Sequence, residues 1–107
     1  MNSLQRIQLK RTKGWRMPAN TAKVDRTTRW GNHPAARAGV TGVNAVRLFA
    51  QWVANDAPEE WKCAAILALR RKNLACWCKV GAPCHGDYLL SWIDAVTPRF
   101  PVQLNRS

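Results

Sequence analysis

A chain of 107 residues is one domain's worth, and its 47% hydrophobic content with six tryptophans excludes a disordered polymer. Seventeen Lys and Arg against six Asp and Glu give a net charge of +11, which points to a polyanionic partner. No apolar run reaches the length of a membrane span, and the start, Met1-Asn2-Ser3-Leu4-Gln5-Arg6, is too polar for a secretory leader, so the expected home is cytoplasmic. In a reducing compartment, four cysteines favour metal binding or chemistry over disulfides.

Ile7-Gln8-Leu9 alternates and predicts a first strand. Lys10, Arg11, Lys13 and Arg16 then surround Gly14-Trp15, and cations interleaved with an aromatic suit phosphates and a stacked base. Ala22 to Arg26 predicts a second short strand, followed by another basic-aromatic cluster, Arg29-Trp30-Gly31-Asn32. We read the two clusters as flanking one pocket, and His33 as a solvated loop residue. Residues 1 to 37 hold nine of the basic residues against one acid, Asp25, which concentrates the charge in this third of the chain.

Residues 35 to 43, with Gly39 and Gly42, predict a flexible loop. A first helix is expected from Asn44 to Asn55, with Val46, Phe49, Ala50 and Val53 at i, i+3, i+4, i+7 spacing. Asp56 and Glu59 have the spacing of a capping box for a second helix that runs to Lys72, with Trp61, Ala64, Ala65 and Ala68 on one face and Cys63 as buried filler. Leu74 to Cys78 predicts a third strand. A third helix runs from Gly86 to Val96, buries Leu89, Leu90, Ile93 and Val96, and cannot pass Pro98. The expected architecture is a single small α/β domain over residues 1–97, a short sheet of about three strands with three helices, and a tail over 98–107.

The chemistry concentrates in Cys76-Trp77-Cys78 and Cys84-His85-Gly86-Asp87. Extended backbone would put Cys76 and Cys78 on one face and Trp77 on the other, and a short turn would return Cys84 and His85 toward the two thiols. Three sulfurs and an imidazole make a tetrahedral zinc set, so Cys76, Cys78, Cys84 and His85 are the candidate ligands. The competing reading makes Cys84 a thiol of lowered pKa at a helix N-terminus, working with His85 and Asp87 as catalytic groups. The plain alternative is that the cysteines are small buried hydrophobes.

The chain resembles a domain-of-unknown-function family associated with phage and bacterial genomes. The likeness is carried by Lys13-Gly14-Trp15 with Pro18, Val24-Asp25-Arg26, Trp30-Gly31-Asn32, Cys76-Trp77-Cys78 and Cys84-His85-Gly86-Asp87. His33-Pro34-Ala35 stands where members of that family usually continue with Pro-Phe. The resemblance implies an α/β domain in which the basic-aromatic and cysteine motifs belong to one unit, and it names no reaction.

Three functions are expected of such a chain. The first is a domain that binds nucleic acid or a phosphate-bearing small molecule, with zinc at the cysteine loop, with Arg11, Lys13, Arg16, Arg26 and Arg29 on phosphates, Trp15 and Trp30 stacking on bases, and Asn32 beside them. The second is a small enzyme acting on a nucleotide or related phosphorylated compound through Cys84, His85 and Asp87. The third is a phage protein that covers an acidic face of a host factor.

Overall fold

The computed structural model describes residues 4–97. Three short strands, β1 (Arg6–Gln8), β2 (Thr21–Lys23) and β3 (Asn73–Cys76), and four helices, α1 (His33–Ala38), α2 (Gly42–Asn55), α3 (Glu59–Leu69) and α4 (His85–Val96), make a small α/β domain. The expected tail over 98–107 lies outside the described residues.

The sheet order is β1-β3-β2 and both ladders are parallel. The last strand in the chain is thus the central one, and Leu74, Ala75 and Cys76 are buried although their side chains alternate in direction. Leu74 and Cys76 join a core with Val24, Phe49, Val53, Trp61, Ala65, Leu69, Leu89 and Ile93. Trp61 is its aromatic hub: Trp52, Trp30 and Trp92 lie 4.9, 5.6 and 6.2 Å from it, ring centre to ring centre. Trp52, Trp61 and Trp92 are therefore the packing tryptophans, and Trp30 is half in the core with them.

Two boundaries differ from the sequence reading for local reasons. Asp56 does not cap α3: its N–H and that of Ala57 both donate to the Trp52 carbonyl and close α2, so α3 begins at Glu59 behind an extended Pro58. The same helix stops at Leu69, short of Lys72. Arg70 is extended there and Arg71 takes a φ of 64°, with the Asn20 side chain donating to the Arg71 carbonyl at 2.7 Å.

The stretch expected as a flexible loop contains a helix, α1. Asn32 caps it by accepting from the Ala35 N–H at 3.2 Å, Pro34 lies in its first turn, and Gly39 closes it at a φ of 73°. His33 is not a solvated loop residue; it is half-buried, with Nε2 2.9 Å from the Thr28 carbonyl.

Candidate metal centre at the carboxyl edge of the sheet

In an open parallel sheet the strand ends that carry the chain's carboxyl direction leave a crevice, because the connecting loops splay there. Here β1 ends into Leu9, Lys10 and Arg11, β2 into Val24, Asp25 and Arg26, and β3 into Trp77 and Cys78. Every motif singled out in the sequence except Lys13-Gly14-Trp15-Arg16 is attached directly to that edge.

β3 stops at Cys76, two residues earlier than expected. The chain bends at Trp77 and Cys78, turns at Gly81 (φ 95°) with the Ala82 N–H on the Lys79 carbonyl at 3.0 Å, and enters α4. Cys84 is the N-cap of that helix, and its sulfur accepts from the Gly86 N–H at 3.4 Å. The outcome is that the sulfurs of Cys76, Cys78 and Cys84 all lie within 4.8 Å of one another. None is in a disulfide. An ion about 2.3 Å from each sulfur at tetrahedral angles would hold them about 3.8 Å apart, so the three cysteines can hold a metal after a closure of at most about 1 Å.

Charge sharing among the thiols fits this. Hydrogen bonding between the neighbouring Cys84 and Cys76 sulfurs pulls the Cys76 thiol down to about 5 against the opposing cost of burial. The same bond, with burial, pushes Cys84 well up, and burial pushes Cys78 up. Within this pair the thiol drawn down is Cys76 and the one pushed up is Cys84, opposite to the expectation for Cys84, because the buried sulfurs share one charge. Three sulfurs this close hold one negative charge easily and a second with difficulty, unless a cation joins them.

His85 is buried and its ring is pinned. Nε2 lies 2.7 Å from the Val24 carbonyl and 3.1 Å from the Trp30 carbonyl, so it carries the proton and donates to both. Phe49 packs edge-on at 5.1 Å, and burial pulls the imidazole down from its ordinary value. Nδ1 faces the Cys84 sulfur at 4.0 Å but is not within 4.8 Å of all three sulfurs. Cys63, half-buried on α3, is also outside the group.

Arg6 was not anticipated. Its side chain, 2% exposed, lies under the cysteine loop: Nη2 donates to the Lys79 carbonyl at 2.8 Å, and Nη1 reaches the Ile7 and Cys76 carbonyls at 3.3 and 3.4 Å. Nε sits 3.5 Å from the Asp87 carboxylate, close enough for charge attraction but not aligned as a hydrogen bond. Gly86 makes room for it; a Cβ there would come within 3.0 Å of Arg6 Cδ. Nothing local in Gln5-Arg6-Ile7 distinguishes this arginine from the exposed basic residues that follow.

Asp25 is not a free carboxylate either. Oδ1 accepts from the Thr27 hydroxyl at 2.6 Å and its N–H at 3.3 Å, and Oδ2 from the Trp77 indole at 2.9 Å. Burial acts to raise its pKa, but these bonds and the Lys23 charge outweigh it, and the net shift is downward. Trp77, held by this bond, is 41% exposed, and the Arg11 guanidinium lies 4.4 Å above its ring. The alternation that turned Trp77 away from Cys76 and Cys78 was the sequence signal for that placement.

Of the other expected ligand-binding residues, Lys13, Arg16, Arg26 and Arg29 are exposed and Trp15 is half-buried behind the Gly14 turn. Arg29 covers the Trp30 ring at 4.9 Å. Both polar atoms of Asn32 are engaged by backbone, Oδ1 capping α1 and Nδ2 donating to the Ala45 carbonyl at 2.9 Å. A cleft of about 220 Å³ brings Arg26 and Thr41 together with Cys76, Cys78, Cys84 and His85. Asp87, exposed, faces instead a shallow groove of about 560 Å³ between α2 and α4, lined by Val43, Arg47, Cys84 and Tyr88.

Residues 7–95 match the model of a family described as a domain of unknown function, DUF4326. The chain belongs to the DUF4326 family. No curated protein and no solved structure matches it. The DUF4326 match runs from β1 to the last turn of α4, so the basic-aromatic edge and the cysteine cluster belong to one family unit. No helix among the described residues is long and apolar enough to cross a membrane.

Proposed function

We propose that this DUF4326 domain binds zinc through Cys76, Cys78 and Cys84 and takes a nucleic acid or nucleotide along the carboxyl edge of its sheet. The observation that carries the reading is the convergence of three reduced sulfurs on the wall of a cleft that Arg26 also lines. An all-sulfur donor set selects a soft or borderline ion, and in a reducing cell zinc is the common one. A divalent ion on three thiolates carries a net charge of about −1, which the buried Arg6 guanidinium offsets from beneath the loop.

The edge around this centre supports a polyanionic ligand. Lys10 and Arg11 leave β1, Arg26 leaves β2, and Trp77 leaves β3 with Arg11 across its face, a stacked cation and ring of the kind that receives a base beside its phosphate. The test is elemental mass spectrometry of protein purified without added metal, together with anisotropy of a fluorescent single-stranded oligonucleotide titrated at several salt concentrations. About one zinc per chain and an affinity that falls steeply with salt are expected. A chain free of metal, or binding that is absent or indifferent to salt, refutes the corresponding half of the proposal.

A further inference from the structure

Structural zinc sites close with four protein ligands, whereas sites that receive a substrate or ligand keep three and leave a position open. Three donors are assembled here, so the question is whether the chain holds a fourth. Among the described residues no other Cys, His, Asp or Glu joins the three sulfurs. Residues 1–3 and 98–107 contain none of these four residue types, so the segments outside the description add no such side chain.

The near candidates are each committed elsewhere. His85 already presents Nδ1 to the Cys84 sulfur, but that nitrogen is not within reach of all three sulfurs, and carrying the ring further in would stretch the Nε2 bonds to the Val24 and Trp30 carbonyls and disturb the packing on Phe49. Asp25 is saturated by Thr27 and Trp77, and Asp87 is drawn to Arg6 on the groove side of α4. The three sulfurs themselves line the cleft of about 220 Å³. At about 30 Å³ per water, that is space for several waters or one heterocyclic ring.

From this geometry we infer that the Cys76–Cys78–Cys84 centre keeps one coordination position open to the cleft, filled by water at rest and by a nitrogen or sulfur donor of the ligand when it binds. The inference rests on the metal reading above and deepens it: the centre is a place where a ligand docks, rather than a staple for the loop. Arg26, on the same cleft, would receive the anionic part of a ligand whose ring nitrogen reaches the metal, a combination that a nucleotide offers.

The test replaces zinc with cobalt(II), whose visible bands report the ligands and geometry around the ion, and titrates the loaded protein with imidazole as a ring-nitrogen probe. Cobalt bands of a tetrahedral thiolate site that shift and saturate with imidazole, while cobalt stays on the protein, are the expected result. Bound cobalt with bands unmoved by imidazole means that a protein side chain fills the fourth position, which overturns the open site and leaves the metal reading standing. Failure of cobalt or zinc to bind overturns the metal reading itself. A second measurement needs no variant or probe: X-ray absorption of the zinc form should show three sulfurs and one oxygen with no outer-shell scattering from an imidazole ring, and imidazole scattering would overturn the open site. Cobalt bands of His85→Gln that match the wild type before imidazole and shift in the same way with it are expected; bands that change on the substitution and return to the wild-type spectrum with imidazole identify His85 as the fourth ligand and overturn the open site.

Discussion

Gly31→Ala is the substitution whose cost follows most directly from the coordinates. A Cβ at Gly31 would stand 2.6 Å from the Asp25 carbonyl oxygen, 2.7 Å from Arg26 Cα and 3.0 Å from the Arg26 nitrogen. All three are main-chain atoms, and the turn that carries them is itself tied: the Thr28 N–H donates to the Asp25 carbonyl at 3.0 Å and the Gly31 N–H to Thr28 at 3.2 Å. A methyl can enter only if that turn opens. Overpacking of this kind costs about 1–3 kcal/mol, and because no flexible side chain can absorb it we place the change near ~3 kcal/mol. For a domain of this size that lowers the melting temperature by roughly 12–24 °C. Thermal unfolding followed by circular dichroism measures it. Gly14→Ala serves as the comparison. Its Cβ would meet nothing within 4 Å, and only the φ of 86° opposes it, a penalty of about 1–2 kcal/mol. A Gly31→Ala protein as stable as wild type, or more stable than Gly14→Ala, would refute the reasoning.

Asp25→Asn should destabilise the domain by about 1.5–3 kcal/mol at neutral pH, because a charged acceptor of three bonds becomes an amide that must present a donor to Thr27 or Trp77. The folded pKa of Asp25 lies below the unfolded one, so its contribution is complete above the unfolded value near ~4 and fades as pH falls through the folded value; urea unfolding at pH 7 and pH 3 should show the gap closing. Arg6→Met removes the charged one of two donors from each of the Lys79 and Cys76 carbonyls, which keep the Ala82 and Leu9 N–H groups, and urea titration should register a loss of about 1.5–3 kcal/mol together with weaker metal affinity; unchanged affinity would mean that Arg6 supports the loop only mechanically. With Cys76 pulled down to about 5 and Cys78 and Cys84 pushed up, metal binding near pH 7 should release about two protons per ion, measurable by calorimetry in buffers of different ionisation enthalpy. Release of three protons would show Cys76 to be an ordinary thiol.

Local chemistry made much of this molecule readable in the sequence. Val46, Phe49 and Val53 announced α2 by spacing, and the convergence of Cys76, Cys78 and Cys84 followed from a turn signal between two cysteine motifs. Helix α1 was legible too, in Asn32, Pro34 and Gly39, but Gly39 was read as looseness when it is the residue that lets the helix end in a left-handed turn. Features made by contacts distant in sequence were not legible. Arg6 looks like one more cation until Lys79, Cys76 and Asp87 are brought to it. Asp25 looks like a spare carboxylate until Trp77 donates to it across the sheet edge, and the order in which the thiols ionise depends on which sulfur holds the shared proton. Pattern along the chain reports periodicity and caps; it carries no information on which polar atoms will find each other.

The strand order has a further consequence, for how the molecule comes into being. β1 and β2 never touch; each pairs only with β3, so Arg6 waits for Leu74 and Thr21 for Asn73. Both ladders close loops of about half the chain or more, a topology that folds slowly because the entropy of closure is lost before any strand contact compensates it. On the ribosome, the first two strands emerge as unpaired edges and stay so until β3 clears the tunnel. The residues that complete the sheet are followed within one turn by the last cysteine, so the sheet and the sulfur cluster assemble in the same event. On the proposed reading, zinc would meet a complete set of sulfurs only after β3 and the start of α4 have been made, so loading would follow the synthesis of nearly the whole domain.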